Sequence, residues 1–312
     1  MNITFKNFPH DFNIDNNFFS YLFSDEIFKK FESKNISIYG AYPNTRFISR
    51  LYAYLNSKIS PRGIVSWQML QNGFPSKIDQ RNFNLWVTFE NRRPLIKNFD
   101  ATLSFDRDNF GGVNFYLPLI YLYLDLTEKQ KYHANHNVSP KELTKRRNLD
   151  ANILDKKNRF LTSFINNPHP IRLNAIEKFK QIDDVKLFGR YYNNYTSEKI
   201  AEAKKSWFCL CFENDLYPGY VTEKVLEAYL GYSIPLYWGD DVMGILNPKA
   251  LINLKDFDNL DSYCDFVKNL YQDKQKMISI IEEPLFIKEF QISELTNFLY
   301  NRLELKFGGK LH

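Results

Sequence analysis

The chain has 312 residues, of which 44% are hydrophobic and 25% charged, and its net charge is +5. This length and composition favour two folded domains and exclude wholesale disorder. The modest positive charge suits an anionic small ligand or an acidic membrane surface and does not by itself indicate a nucleic-acid-binding protein. The longest apolar stretch, near residue 120, contains a proline and is too short to cross a bilayer. We therefore expect no nucleic-acid partner and at most peripheral membrane contact.

The N-terminus and the cysteines indicate a cellular location. The first residues lack a basic segment followed by an apolar one, so no signal peptide is predicted. Cys209 and Cys211 share one face of a predicted buried strand, and Cys264 stands alone. Three cysteines without a framework spacing are typical of a reduced protein, so we expect a cytoplasmic location, peripheral at most at the inner membrane face.

The first half of the chain alternates short apolar runs with polar turns. These runs predict strands at residues 36–40, 83–90 and 101–106. The charged stretch 127–159 predicts an exposed linker. We therefore place an N-terminal domain at residues 1–150.

The second half has the pattern of repeated strand–loop–helix–strand units. The predicted strands are 158–167, 184–190, 206–212 and 233–239, and the predicted helices are 170–182 and 222–232. A strand, a helix and another strand within about thirty residues form a βαβ unit, and hence a parallel sheet. The predicted fold class is therefore α/β, with two doubly wound, Rossmann-like parallel-sheet domains facing a cleft. The second domain spans residues 151–285.

The last residues, 286–312, predict a separate helix. Apolar residues recur at helical spacing between positions 294 and 307, with two basic residues beside them. Such a helix can pack back on the N-terminal domain or touch a membrane surface.

The stretch FENDLYPGYVTEK, residues 212–224, ends in a lysine where a helix begins. Thr222 is the predicted N-cap, and Glu223 suits the helix dipole. Lys224 opposes that dipole at a cost of a few tenths to about 1 kcal/mol. A phosphate at this terminus would remove the conflict, because it accepts free N–H groups and pairs with the ammonium. A solvated lysine in an ordinary connection accounts for the pattern equally well from the residues alone.

A longer segment around this stretch resembles a known family. Residues 211–240, CFENDLYPGYVTEKVLEAYLGYSIPLYWGD, closely resemble the donor-binding signature of the bacterial alpha-1,3-fucosyltransferases. A looser likeness extends over residues 83–270, and the first eighty residues match poorly. The resemblance implies a GT-B-type fold and inverting transfer of fucose from GDP-fucose. It also implies that the C-terminal domain binds the nucleotide and the N-terminal domain the acceptor.

The resemblance also implies roles for individual residues. Lys224 is expected to contact the diphosphate, and Glu223 the ribose or nearby hydroxyls. Asn214 and Tyr220 are expected to line the donor pocket. Arg172 stands where the family has a second phosphate-binding cation, although the residues alone favour a surface position for it.

Arg190 follows another predicted strand and is a further candidate for nucleotide binding. Its position in LFGRYYNN places it at the same edge of the predicted sheet.

An inverting transfer needs a group that accepts the proton of the acceptor hydroxyl. Glu90 follows the apolar run NLWVTF, and partial desolvation there would raise its pKa toward the working range. Its context resembles that of the family's proposed base, with Phe89 in place of glycine. Asn91 and Asp106 are expected to position the acceptor or the sugar. A capping or ion-paired glutamate remains the alternative for Glu90.

No metal and no cofactor are expected beyond GDP-fucose as donor. Asp240 and Asp241 form an acidic pair after a strand, but the resembling family has no metal-binding acidic motif, so we interpret them as a solvated loop.

Other functions remain open at this point. The chain could transfer a different GDP-linked deoxysugar, or bind a nucleotide sugar or glycan without catalysis. The resemblance implies an acceptor hydroxyl on N-acetylglucosamine, in an oligosaccharide or a surface polysaccharide such as lipopolysaccharide.

Overall fold

The computed structural model describes residues 1–8, 12–40, 78–88, 99–127, 131–132, 134–240 and 244–308. The chain divides into two compact units, residues 1–137 together with 291–312, and residues 138–290. Each unit is built on a parallel β-sheet, so the predicted α/β class is confirmed.

The α-helices of the described residues are numbered in chain order. They are α1 (Phe18–Leu22), α2 (Leu119–Leu122), α3 (Ala151–Leu154), α4 (Pro170–Phe179), α5 (Lys199–Lys204), α6 (Glu223–Leu230), α7 (Leu260–Tyr271), α8 (Lys274–Glu282) and α9 (Ile292–Phe307). No helix among them combines the length and apolarity needed to cross a bilayer.

The described strands of the N-terminal unit form a five-stranded parallel sheet in chain order. They are β1 (Asn2–Lys6), β2 (Asn35–Tyr39), β3 (Phe83–Val87), β4 (Ala101–Ser104) and β5 (Asn114–Tyr116). Every residue of β3 and β4 is buried, as expected for strands covered on both faces.

The sheet of the C-terminal unit is also parallel, with strand order β10–β9–β8–β6–β7. Its strands are β6 (Arg159–Phe164), β7 (Val185–Phe188), β8 (Ser206–Phe212), β9 (Ile234–Trp238) and β10 (Ile252–Asn253). All seven residues of β8 are buried, because this strand is central and helices cover both faces.

The strand order of the C-terminal sheet reverses direction at β6. Strand β7 lies on one side of β6 and β8 on the other. Right-handed crossovers therefore place α4 on one face and α5 and α6 on the opposite face. Helix α5 indeed packs against α6, and α4 against α7. The connections that leave the carboxyl ends of β6 and β8 diverge, and such a switch point opens a ligand-binding crevice.

The boundary between the units lies at residues 137/138 and not at 150/151. Tyr132 and Leu143 are buried, so the predicted exposed linker over 127–159 is wrong for these residues. Arg147 donates its backbone N–H to the Glu282 carbonyl at 3.1 Å and its Nε to the Ile281 carbonyl at 2.7 Å. These bonds fasten the stretch after residue 137 to helix α8 of the C-terminal unit.

Helix α9 belongs to the N-terminal unit. It presents a fully buried stripe made of Leu295, Leu299 and Leu303. Arg302 donates Nε to the Asp100 carbonyl at 2.7 Å, and Lys306 Nζ lies 2.9 Å from the Asp100 carboxylate. An apolar stripe and two cations thus fix the helix beside the start of β4.

Candidate functional site

Two helix starts meet at the carboxyl ends of β6 and β8. Residues 165–169 join β6 to α4, and residues 213–222 join β8 to α6. Pro170 occupies the first position of α4, where its missing N–H has no helical partner to lose. Arg172 in α4 and Lys224 in α6 consequently reach the same crevice.

Arg172 is almost completely buried, with 3% of its surface exposed. Its Nε and Nη2 donate to the Phe212 carbonyl at 3.1 and 2.6 Å. Nη2 also donates to Asn214 Oδ1 at 2.7 Å, and Nη1 to the Asn167 carbonyl at 2.9 Å. The surface interpretation of Arg172 is therefore wrong, because its guanidinium joins the loops that follow β6 and β8.

Lys224 is held by two neighbours on the loop that follows β8. Its Nζ lies 3.1 Å from Glu213 Oε2 and 2.9 Å from Thr222 Oγ1. Glu213 is fully buried, and its Oε1 also accepts the Thr222 backbone N–H at 2.7 Å. The lysine at this helix start thus meets a carboxylate of its own chain, and this pairing offsets the unfavourable helix dipole.

The charges of the crevice act on one another. Burial disfavours the Lys224 ammonium, but Glu213 and Glu223 outweigh it and raise the pKa of Lys224. Burial likewise opposes the charge on Glu223, yet Lys224 and Lys199 lower its pKa. Burial lowers the pKa of Arg172, against the attraction of Glu213. The two glutamates thus favour the charged form of Lys224, and Glu213 also favours the charged form of Arg172.

The predicted N-cap position of Thr222 is confirmed, but the predicted capping hydrogen bond is not formed. Thr222 stands at the N-cap position of α6, but its side chain makes no capping bond, because the hydroxyl lies 2.8–2.9 Å from the Glu213 carboxylate oxygens. Helix α4 also begins without a side-chain cap. Uncapped helix starts present backbone N–H groups to an anion.

The other residues predicted to bind the nucleotide sugar differ in how far their side chains are exposed. Asn214 is half-buried and accepts from Arg172, whereas Tyr220 is buried, with 2% exposed. Arg190 has an exposed side chain, and its backbone N–H donates to Asn166 Oδ1 at 3.0 Å. Contact of these residues with a nucleotide stays a prediction.

Asp240 is not in a solvated loop, contrary to the prediction. Only 8% of its surface is exposed, and its Oδ2 accepts the Gly219 N–H at 2.7 Å. Gly219 has a φ of +87°, a conformation that glycine adopts without a steric penalty. Asp240 therefore anchors the middle of the loop 213–222. Its neighbour Asp241 lies outside the described residues.

The residues predicted for proton transfer and acceptor positioning belong to the N-terminal unit. Glu90 and Asn91 lie outside the described residues, so their roles stay predictions. Asp106 follows β4, where its Oδ1 accepts the Asp108 N–H at 3.1 Å and its own N–H donates to Ser104 Oγ at 3.2 Å. These bonds form a tight turn at the carboxyl end of the strand.

Within the described residues, no three His, Cys, Asp or Glu side chains are grouped so as to hold a metal ion.

Glu213 is the site residue that sequence reasoning did not single out. It directly follows the fully buried strand β8, and a carboxylate there requires a paired cation. The lysine eleven positions later supplies that cation across the loop. An acidic residue directly after a predicted buried strand, followed by a lysine at the next helix start, is the signal that predicts the pair.

The domain that contains this crevice matches a known protein family. Residues 154–282 match the model of glycosyltransferase family 10 (fucosyltransferase), C-terminal part. Residues 154–282 are therefore a glycosyltransferase family 10 domain. Arg172, Glu213 and Lys224 all fall within the matched range, so the crevice lies in this domain.

Similar proteins support this assignment. The alpha-(1,3)-fucosyltransferase FucT of Helicobacter pylori is 33% identical over 227 residues, which are 64% of this chain and 47% of that protein. The chain spans less than half the length of the curated relatives it matches.

Solved structures also resemble the protein. An alpha1,3-fucosyltransferase with GDP-fucose superposes with a TM-score of 0.64 at 21% identity, covering 97% of this chain and 90% of that one. An alpha1,3-fucosyltransferase with GDP gives 0.61 at 24% identity, covering 88% and 92%. These likenesses confirm the predicted GT-B-type architecture.

Proposed function

We propose that the protein transfers L-fucose from GDP-fucose to a glycan hydroxyl, with O3 of N-acetylglucosamine as the accepting atom and inversion at the sugar carbon. The observation that carries the proposal is the pair of held cations, Arg172 and Lys224, at the switch point of a family 10 domain. The likeness to an alpha1,3-fucosyltransferase with GDP-fucose supports the choice of donor.

In this proposal, the diphosphate lies between the starts of α4 and α6. Backbone N–H groups at these uncapped ends donate hydrogen bonds to the phosphate oxygens. Lys224 keeps its charge because Glu213 and Glu223 raise its pKa, and it adds a charge-assisted hydrogen bond. Charge on the departing GDP is then neutralised by groups that need no reorganisation.

The chemical step is a single displacement at the anomeric carbon of fucose. The acceptor oxygen forms the new bond while the bond to the β-phosphate oxygen breaks, and the acceptor proton passes to a general base. We assign that base to Glu90, with Asn91 and Asp106 positioning the sugar or the acceptor. In this proposal the cationic side chains and the backbone N–H groups together take the part that a divalent metal has in other nucleotide-sugar transferases, so no metal is needed.

The donor assignment is tested first by binding. We expect GDP to raise the thermal midpoint of the purified chain and Lys224→Met to remove most of that shift, because the ammonium is lost from the phosphate site. Lys268→Met, at an exposed position of α7, serves as the matched control and should retain the shift. A folded wild-type chain whose midpoint GDP does not move would contradict the proposal.

The transfer itself is tested by mass spectrometry with a panel of GDP-sugars and an N-acetyllactosamine acceptor. Transfer of fucose supports the proposal, and turnover of another GDP-deoxysugar alone rules out fucose. Glu90→Gln should abolish transfer while GDP still binds. Unchanged transfer by this variant would remove Glu90 from the mechanism.

A further inference from the structure

Glu213 is a fully buried carboxylate at the end of β8, and it faces the crevice rather than solvent. We infer that Glu213 is a positioning residue: it fixes the place of the Lys224 ammonium for the nucleotide diphosphate. This inference rests on the proposed function, since it concerns how that same site binds its donor.

The carboxylate is surrounded by donors from the same loop. Thr222 supplies its backbone N–H at 2.7 Å and its hydroxyl at 2.8 Å, and Lys224 supplies its ammonium at 3.1 Å. A buried carboxylate is strongly disfavoured without a paired cation. Lys224 therefore cannot swing toward solvent without leaving Glu213 unpaired, and the ammonium stays at the start of α6.

The ammonium is held but not saturated. A lysine ammonium has three N–H groups, and in the described part of the chain Glu213 and Thr222 accept two of them. The third is available to a phosphate oxygen. Because the long side chain is already fixed, binding does not have to restrict its rotamers, and this preorganisation raises affinity.

The strand end of β9 supports Glu213 from its other side. A Cβ atom added to Gly239 would collide with the Tyr237 hydroxyl and would lie 2.9 Å from Glu213 Cγ, closer than real Cβ atoms approach other atoms. Glycine is thus required where the chain leaves β9 beside Tyr237 and Glu213. Thr222 and Gly239 both lie against the Glu213 side chain and restrict its position.

The test is a double-mutant cycle on GDP binding, measured by titration calorimetry. The four proteins are the wild type, Glu213→Gln, Lys224→Met and the double variant. Glutamine keeps the shape of Glu213 but turns an amide toward the ammonium. We expect Glu213→Gln to weaken GDP binding about tenfold, a typical effect within one hydrogen-bond network. In the Lys224→Met background the same change should have little further effect.

Equal losses in both backgrounds, or no loss in either, would overturn the inference, because a merely structural glutamate acts independently of Lys224. If Glu213→Gln does not fold, Thr222→Val provides the same cycle, since it removes the hydroxyl between carboxylate and ammonium. Kinetics give a second readout: the KM for the donor should rise while the KM for the acceptor is unchanged.

A matched control distinguishes this effect from general loss of an ion pair. Glu202 pairs with Arg159 at 2.7 Å at the amino end of the sheet, so Glu202→Gln should leave GDP binding unaltered. If the wild type itself does not bind GDP, the proposed function fails together with the inference. If the wild type binds GDP and the cycle is additive, the inference alone fails.

Discussion

Lys157 is a half-buried lysine two residues before strand β6. Its Nζ donates to the Ser206 carbonyl at 2.7 Å. Burial, reinforced by the charges of Arg147 and Lys204, lowers the pKa of Lys157 to about 7. In the unfolded chain the amine keeps its ordinary pKa of 10.5. Between these values the unfolded chain binds the extra proton, so this group makes the folded state more stable as pH rises.

We therefore predict that the wild type gains stability relative to Lys157→Met between pH 7 and pH 9, by about 1.4 kcal/mol per pH unit. Urea unfolding of both proteins at pH 7, 8 and 9 measures the difference between their free energies of unfolding. Because all other titrating groups are the same in both proteins, their contributions cancel in this difference. Below pH 7 the two curves should run parallel. Parallel curves up to pH 9 would show that Lys157 stays protonated in the fold.

Arg172 offers a test of geometry rather than charge. Its guanidinium donates to the carbonyls of Phe212 and Asn167 and to Asn214. Lysine keeps the charge but not the planar arrangement of donors. We predict that Arg172→Lys lowers the free energy of unfolding by about 1–3 kcal/mol, since buried carbonyls lose their donors, and that it weakens GDP binding. Arg81→Lys, at a site of the N-terminal unit whose side chain is 89% exposed, should change neither in the same denaturation and binding assays.

For single residues, the sequence predicted the cations of the site better than it predicted the carboxylates. Lys224 was found because a helix start leaves free N–H groups whose position follows from chain order. Arg172 was assigned to the phosphates only through the resemblance to the family, since the residues alone favoured a surface position. Glu213 was missed and Asp240 misplaced because their partners, Lys224 and Gly219, lie 11 and 21 residues away along the chain. The conformation of a loop decides which carboxylate pairs with which hydrogen-bond donor, and a local sequence pattern does not specify this conformation.

Among the elements, the loop 213–222 is anchored in its middle by Asp240. Asp240 accepts the Gly219 N–H there, and Tyr237 donates its hydroxyl to the Asp240 carbonyl at 3.1 Å. Removing the carboxylate leaves a buried N–H without its acceptor, which costs about 1–3 kcal/mol.

We accordingly predict that Asp240→Ala lowers the thermal midpoint and weakens GDP binding, because the loop also carries Glu213. Asp258→Ala, at an exposed position, is the control for loss of an aspartate and should behave as the wild type. Calorimetry measures the midpoint and the binding constant on the same samples. Retained GDP affinity in Asp240→Ala would show that the loop holds its shape without this anchor.

The elements that were predicted correctly are long or strongly patterned. Strand β8 occupies the predicted residues 206–212, since a continuous apolar run between polar turns identifies a buried parallel strand. Strands β5 and β10 have only three and two residues, so they carry no recognisable period. The stretch 127–159 appeared exposed because it is rich in charge, yet Arg147 is packed between Tyr229 and Tyr232, 3.6 and 4.2 Å from their ring centres.

At the scale of the whole molecule, the N-terminal unit is completed by helix α9. Leu299 is fully buried there, whereas Leu305 on the same helix is 75% exposed. We predict that Leu299→Ala lowers the free energy of unfolding by about 2–5 kcal/mol, while Leu305→Ala changes it by less than about 0.5 kcal/mol. Chemical denaturation measures both.

The same pair of variants separates the roles of the two units. The contacts proposed for the nucleotide come from residues 138–290, so GDP should bind a folded Leu299→Ala protein as tightly as the wild type. A marked loss of affinity in this variant would show that the N-terminal unit shares in holding GDP.

Because helix α9 belongs to the N-terminal unit, it also affects how the chain folds during its synthesis. A ribosome must add residues 138–290 before this helix exists, which takes roughly 8–30 s at about 5–20 residues per second. During that time the nascent N-terminal unit lacks the leucine stripe that closes its core. The segment encoded second can thus reach its native state first, and chaperones that shield apolar surface are most needed during this interval.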